Sequence, residues 1–205
     1  MATQNQKYIQ LGIKDWASVV DALGKGVQTL LIRPYPPKNS QFLLYPTFSY
    51  FAAKQTKPVE FDQYFEAKHR EAARIAGIHA MNRAQQNAIV DISYFAVVDT
   101  VVEVTDKSVY EALQPFFVWS LSHLSEYLTE TDKPSHLWLI RTYRLPKPTT
   151  VVFEGKRGGS LTTYKHAYPI STLGSSPVLT NSQFGKLKTQ ILSTIERMNV
   201  VPRQS

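Results

Sequence analysis

Residues Ile89–Val104 read IVDISYFAVVDTVVEV, the most β-prone stretch of the chain, because Val, Ile, Tyr, Phe and Thr fit a pleated, half-buried surface. Roughly ten residues is already long for one strand, so two strands or one long bent strand are expected here. Downstream, Asp106 or Ser108 is placed to cap a short helix through Leu113, and Phe116–Leu128 reads as another. A strand is expected from His136 to Tyr143, with Thr149–Phe153 as its hairpin partner and Lys147 and Pro148 in the connection. The run GKRGGS is a turn or loop. Asn181 is expected to cap a closing helix over 182–198, with Phe184, Leu187, Ile191, Leu192 and Ile195 on one face.

Upstream, an Ala- and Gln-rich stretch over 59–87 reads as a helical insertion. Phe42–Tyr45 begins a strand that Pro46 is expected to halt, and Val27–Ile32 (VQTLLI) is a strand of buried types ending at Arg33. Ile13, Trp16, Val19, Val20 and Leu23 recur at spacings of three and four, so an amphipathic helix is expected over 13–23, stopped by Gly24 and Gly26. Short strands with few long helical crossovers give an α+β class: a mixed, mostly antiparallel curled sheet or small barrel with flanking helices. Residues 1–205 are read as a single domain, since 43% hydrophobic and 19% charged residues suit one buried core.

The absence of cysteine excludes disulfides, thiolate metal sites and a cysteine nucleophile, and fits a reducing cytoplasm. The polar opening MATQNQKYIQ lacks the apolar core of a signal peptide, and no stretch approaches the ~20 apolar residues of a membrane span. A cytoplasmic protein without a membrane partner is expected. The net charge of +7 is unevenly spread: residues 1–57 carry +5, 89–132 carry −7, 133–166 carry +6 and 167–205 carry +3. A basic half not interleaved with acids attracts phosphate backbones or other anions. Alternatively, the acidic middle folds against the basic flanks and neutralises them.

Phosphate loops, GxGxxG turns, GxSxG elbows and HExxH pairs are all missing from the sequence. His69, His79, His123, His136 and His166 are scattered, which leaves no metal site to assign. Glu154 and Lys156 follow the strand TTVVF in the E-x-K arrangement of metal-dependent nucleases, where the carboxylate holds a divalent ion and the lysine steadies water or phosphate. The second carboxylate that such a site needs is absent between Lys133 and Phe153. No cofactor is expected, with Mg²⁺ required only if this nuclease alternative holds.

Basic residues interleave with aromatics from Trp138 through Arg141, Tyr143, Arg144, Lys147, Lys156, Arg157, Tyr164, Lys165 and His166 to Tyr168. Cations neutralise phosphates and exposed rings stack on unpaired bases, the combination a nucleic-acid groove requires. Arg141 and Arg144 are an odd number of residues apart on an expected strand and so point to opposite faces.

The stretches IKDWASVVDALGKGVQTLLIR, FLLYPTF and HLWLIRTYRLPKP, in that order, resemble the uncharacterised prokaryotic family DUF1802. Its K-[DE]-W-A helix, G-x-Q strand ending in arginine, FLLYPT strand and late LR-x-Y-x-L-x-x-P strand fall on 14–17, 26–33, 42–47 and 140–148. Pro34, Tyr35 and Pro36 replace the usual lysine and two glycines, and Phe48, Ser49 and Tyr50 replace the usual histidine and glutamine. Any activity held at those positions is altered in this member. The resemblance implies a setting near DNA restriction or modification, with a restriction-type nuclease as a partner. A fainter likeness, helix with Trp16, glycine, strand and Arg33, is to small ASCH- and PUA-type barrels that bind RNA or modified nucleotides.

The expected function is a nucleic-acid-binding module, most readily for DNA, in which Arg33, Arg141, Arg144, Lys147, Lys156 and Arg157 contact phosphates while Tyr45, Tyr143 or Tyr164 stack or orient. The alternatives are a metal-dependent phosphodiesterase and a non-catalytic interaction subunit. In the latter, a homo-oligomer included, the apolar YPTFSYF stretch is interface.

Overall fold

The computed structural model describes residues 7–47, 89–119, 121, 124–125, 128, 134–152 and 163–200. Along the chain these form β1 (Tyr8–Trp16), α1 (Ala17–Gly24), β2 (Leu30–Arg33), β3 (Gln41–Thr47), β4 (Ile89–Val104), α2 (Val109–Leu113), β5 (Ser135–Val152), β6 (Thr163–Ser171), β7 (Ser176–Pro177) and α3 (Asn181–Val200). A short 3-10 turn, Gln114–Phe116, follows α2. One open, mixed sheet runs β2-β5-β4-β3-β1-β6, with β7 also paired to β5. The β1–β3 pair is parallel, and the other pairs are antiparallel. The α+β class and the mostly antiparallel sheet hold, and of curled sheet and barrel it is the open sheet that forms. The expected helical stretch over 59–87 lies outside the described residues.

The spacing read as a helix over 13–23 is divided between two elements. Residues up to Trp16 belong to β1, which pairs on both sides, with β3 and with β6. The β6 ladder holds residues 8–13 and the β3 ladder holds 12–16, which outweighs the local helical pattern, and the helix begins only at Ala17. Gly26, at φ 70°, then turns the chain toward β2. Pro46 does not halt β3: β4 pairs with β3 only as far as Leu44, so Pro46 lies where β1 is its one ladder neighbour.

The expected hairpin of His136–Tyr143 with Thr149–Phe153 is instead one strand, β5, running antiparallel to β4 along nearly its whole length. The registers Ile92↔Thr149 and Tyr94↔Arg144 set two steps on β4 against five on β5. Leu145-Pro146-Lys147-Pro148 thus lie opposite the single residue Ser93, and the two prolines lack the N–H that a regular ladder needs. A second irregularity puts Asp99 between the pairs Val98↔Ile140 and Thr100↔Leu139. Asp99 there accepts from Lys188 Nζ of α3 at 2.5 Å and from Thr100 Oγ1 at 2.7 Å.

Strand alternation divides the core. Phe42 and Leu44 join Trp138, Val19 and Leu23 of α1, Tyr110 and Leu113 of α2, and Ile191 and Ile195 of α3. Leu43 and Tyr45 join Phe95, Val97 and Ile170 in a second cluster. The closing helix is capped by Thr180, not Asn181: Thr180 Oγ1 accepts from the Gln183 N–H at 3.2 Å and Gln183 Oε1 accepts from the Thr180 N–H at 2.9 Å. This T-x-x-Q capping box leaves the Asn181 side chain for another partner.

Candidate nucleic-acid interface

Arg33 ends β2 on the inner face, fully buried, and its Nη2 donates to Asp15 Oδ2, itself fully buried. Asp15 Oδ1 accepts from the Trp16 N–H at 2.8 Å, and Arg33 Nη1 donates to the Ile32 carbonyl at 2.9 Å. The guanidinium carbon lies 5.9 Å from the ring centroids of both Trp119 and Trp138. Burial pushes the Asp15 carboxyl above its ordinary pKa, against the pull of Arg33. A guanidinium with no solvent face reaches no phosphate, so the expectation for Arg33 is corrected: it is a core cation. Tyr45 is corrected likewise, being buried in the second cluster, with Lys14 Nζ 5.7 Å from its ring centroid.

The β5 cations are differently placed. Arg144 is exposed, its guanidinium carbon 5.0 Å from the centroid of Tyr94, its cross-strand neighbour. Lys147 is exposed in the proline-bracketed irregularity. Arg141 is half-buried; its Nη2 donates to Asn181 Oδ1 at the start of α3, and its guanidinium carbon lies 5.6 Å from the Tyr143 centroid and 5.7 Å from that of Phe184. Tyr143 stacks on Phe95 at 4.9 Å with 10° between the planes. Its ring is engaged by Phe95 and Arg141 together, so Tyr143 orients Arg141 and is no platform for a base. Arg141 serves partly as an anchor for α3.

Arg33, Arg141 and Arg144 therefore do not share a pocket. Tyr164 occupies β6 opposite Gly12. Glu154, Lys156 and Arg157 lie outside the described residues, as does the YPTFSYF stretch beyond Thr47. Among the described residues, no group of three His, Asp or Glu side chains is placed to hold a metal. No described helix is long and apolar enough to cross a membrane.

Sequence reasoning missed the cavity of about 280 Å³ between β1 and the loop before β3. Its lining includes Gly12, Ile13, Tyr35 and exposed Lys38 and Asn39, with the buried Phe42 and Trp138 beneath the surface. Trp138 Nε1 donates to the Tyr35 carbonyl at 3.1 Å, and the two rings meet edge to face at 5.9 Å. A second depression shares Leu11 and Asn39 with it and is edged by Tyr8, Gln10 and Lys165. Gln28 Oε1 accepts from the Val118 N–H at 3.1 Å and Gln28 Nε2 donates to the Leu30 carbonyl at 2.7 Å, which fixes the segment bearing Trp119 over the buried arginine.

Fold and site together define an open α+β sheet with a buried Asp–Arg pair beside two tryptophans and, among the described residues, exposed Arg144 and Lys147 on one long strand. The chain belongs to the DUF1802 family, a domain of unknown function, whose family model matches residues 12–190. No curated protein and no solved structure matches it.

Proposed function

We propose that the protein is a nucleic-acid-binding module that recognises its partner without turnover. The observation that carries this reading is the β4–β5 register. The acidic strand lies beside the basic one, yet Arg144 faces Tyr94 and Arg141 faces Val97. The carboxylates of β4 are engaged elsewhere: Asp91 accepts from Thr150 at 2.8 Å, Asp99 from Lys188, and Glu103 lies 3.9 Å from His136. Among the described residues, Arg144, Lys147, Lys38 and Lys165 pair with no carboxylate. Their charge stays available to an anionic backbone, for which a guanidinium held against a ring is well oriented. The restriction or modification setting that the family resemblance implies makes DNA the first ligand to test.

The test is binding of labelled duplex and single-stranded DNA and RNA across a salt series, with and without magnesium, for the native protein and the Arg144→Ala/Lys147→Ala variant. Binding that weakens with salt, and a variant whose log-log salt slope is smaller by about two, are expected, since each phosphate contact contributes about one. Absence of binding at low salt sinks the reading.

A further inference from the structure

Leu44 of β3 pairs with Tyr94 of β4, and Tyr94 pairs with Arg144 of β5, so the three side chains form one row on one face of the sheet. Leu44 is buried in the cluster that contains Val19 and Leu23 of α1, and Tyr94 packs against the same cluster. The row thus runs from the core outward as buried leucine, half-buried tyrosine and exposed arginine. The tip of the Tyr94 ring lies against Gly24, the last residue of α1: a Cβ at Gly24 would meet Tyr94 Cε2 at 2.5 Å and the hydroxyl oxygen at 2.8 Å. Gly24 has no positive φ, so the ring, and not the backbone, is what a side chain there would disturb. The guanidinium carbon of Arg144 lies 5.0 Å from the centroid of that ring. An arginine free on a surface loses its rotamer freedom when it binds. One resting on a fixed ring is partly ordered beforehand and keeps its N–H fork for a phosphate.

We propose that Tyr94 is the positioning residue of the basic strand: seated against Gly24, it holds the Arg144 guanidinium in the orientation that meets an anionic backbone. The inference rests on the nucleic-acid reading above and adds to it that the contact is made at the Gly24 end of α1, whose missing side chain gives the ring its seat.

The experiment is a double-substitution cycle on the binding of labelled duplex and single-stranded DNA. Tyr94→Leu keeps an apolar contact in place of the ring. In the native background it is expected to weaken binding roughly two- to fivefold, as an exposed cation–ring contact provides, and to make the log-log salt slope shallower. Tyr94→Phe retains the ring and is expected to bind as the native protein does. In the Arg144→Ala background, Tyr94→Leu is expected to change nothing further. Gly24→Ala approaches the same point from α1: alanine suits a helix, so its methyl acts on the ring, and the variant is expected to weaken binding only where Arg144 is present. Equal loss from Tyr94→Leu in both backgrounds, or loss in neither, overturns the positioning role and leaves the nucleic-acid reading standing. Failure of the native protein to bind either DNA at low salt overturns that reading and the positioning role with it. A general loss of folding in Tyr94→Leu appears as equal loss in both backgrounds and counts against the role.

Discussion

Asp15 and Arg33 are 18 positions apart in sequence yet share one hydrogen bond inside the core. Read along the chain, Arg33 looks like any arginine at a strand end, since charge alone does not report burial. No local signal marks the pair either: Asp15 adjoins Lys14 in sequence, and Arg33 simply closes an apolar strand. Removing one partner leaves an uncompensated buried charge. Arg33→Met is therefore expected to cost about 3–5 kcal/mol in urea unfolding, and Asp15→Leu/Arg33→Met to recover most of that loss. Recovery of nothing in the double variant contradicts the pairing. Tyr110 supplies a pH-dependent counterpart. Its hydroxyl lies 2.5 Å from Ser135 Oγ, which donates on to the Val104 carbonyl at 3.2 Å, and burial pushes its pKa from 10.0 up to about 12. The folded protein thus keeps a proton that the unfolded chain loses. That contribution is complete below pH 10.0 and is lost by about pH 12. The stability advantage of the native protein over Tyr110→Phe is expected to shrink across that window; a constant difference speaks against it.

At the scale of elements, the β character of Ile89–Val104, α2 and the closing helix are legible from β-branched runs and apolar periodicity, while the choice between two strands and one is not; the structure has one. β1 is not legible either, because the spacing of Ile13 and Trp16 suits a helix as well as a strand, and only pairing with β3 and β6, distant in sequence, decides between them. The continuity of β5 was hidden by Pro146 and Pro148, which read as a connection and instead make an irregularity within a strand. The cap of α3 was misplaced by one residue because Asn181 and Thr180 are both good caps; the glutamine three positions after Thr180 is what distinguishes them. Thr180→Ala is expected to lower stability by about 1 kcal/mol in thermal or urea unfolding, and Asn181→Ala to leave the cap intact while releasing Arg141. Gly26→Ala combines a positive φ with a Cβ that would meet Leu179 Cδ2 at 2.5 Å. It is expected to cost more than the ~1 kcal/mol of the cap, and an unchanged midpoint would show that the turn relaxes freely.

For the whole molecule, the uneven charge of the chain left two outcomes open, neutralisation of the basic half or a retained positive surface. Neither periodicity nor composition could choose, since the choice depends on which residues face one another across two long strands. For the described residues the register sets tyrosine and valine opposite the arginines, with threonine, lysine and histidine beside the carboxylates, and the proposed reading rests on that arrangement. Of the residues expected at the interface, Arg144 and Lys147 are exposed, Arg144 against the ring of Tyr94, and Arg141 is shared with α3. Arg33, Tyr45 and Tyr143 are committed to the protein's own packing. The most direct measurement is the slope of log binding constant against log salt for DNA, native protein against Arg144→Ala/Lys147→Ala. A negative slope that becomes shallower by about two in the variant is the predicted result; no binding at low salt, or identical slopes, contradicts a phosphate-contacting role for the basic strand.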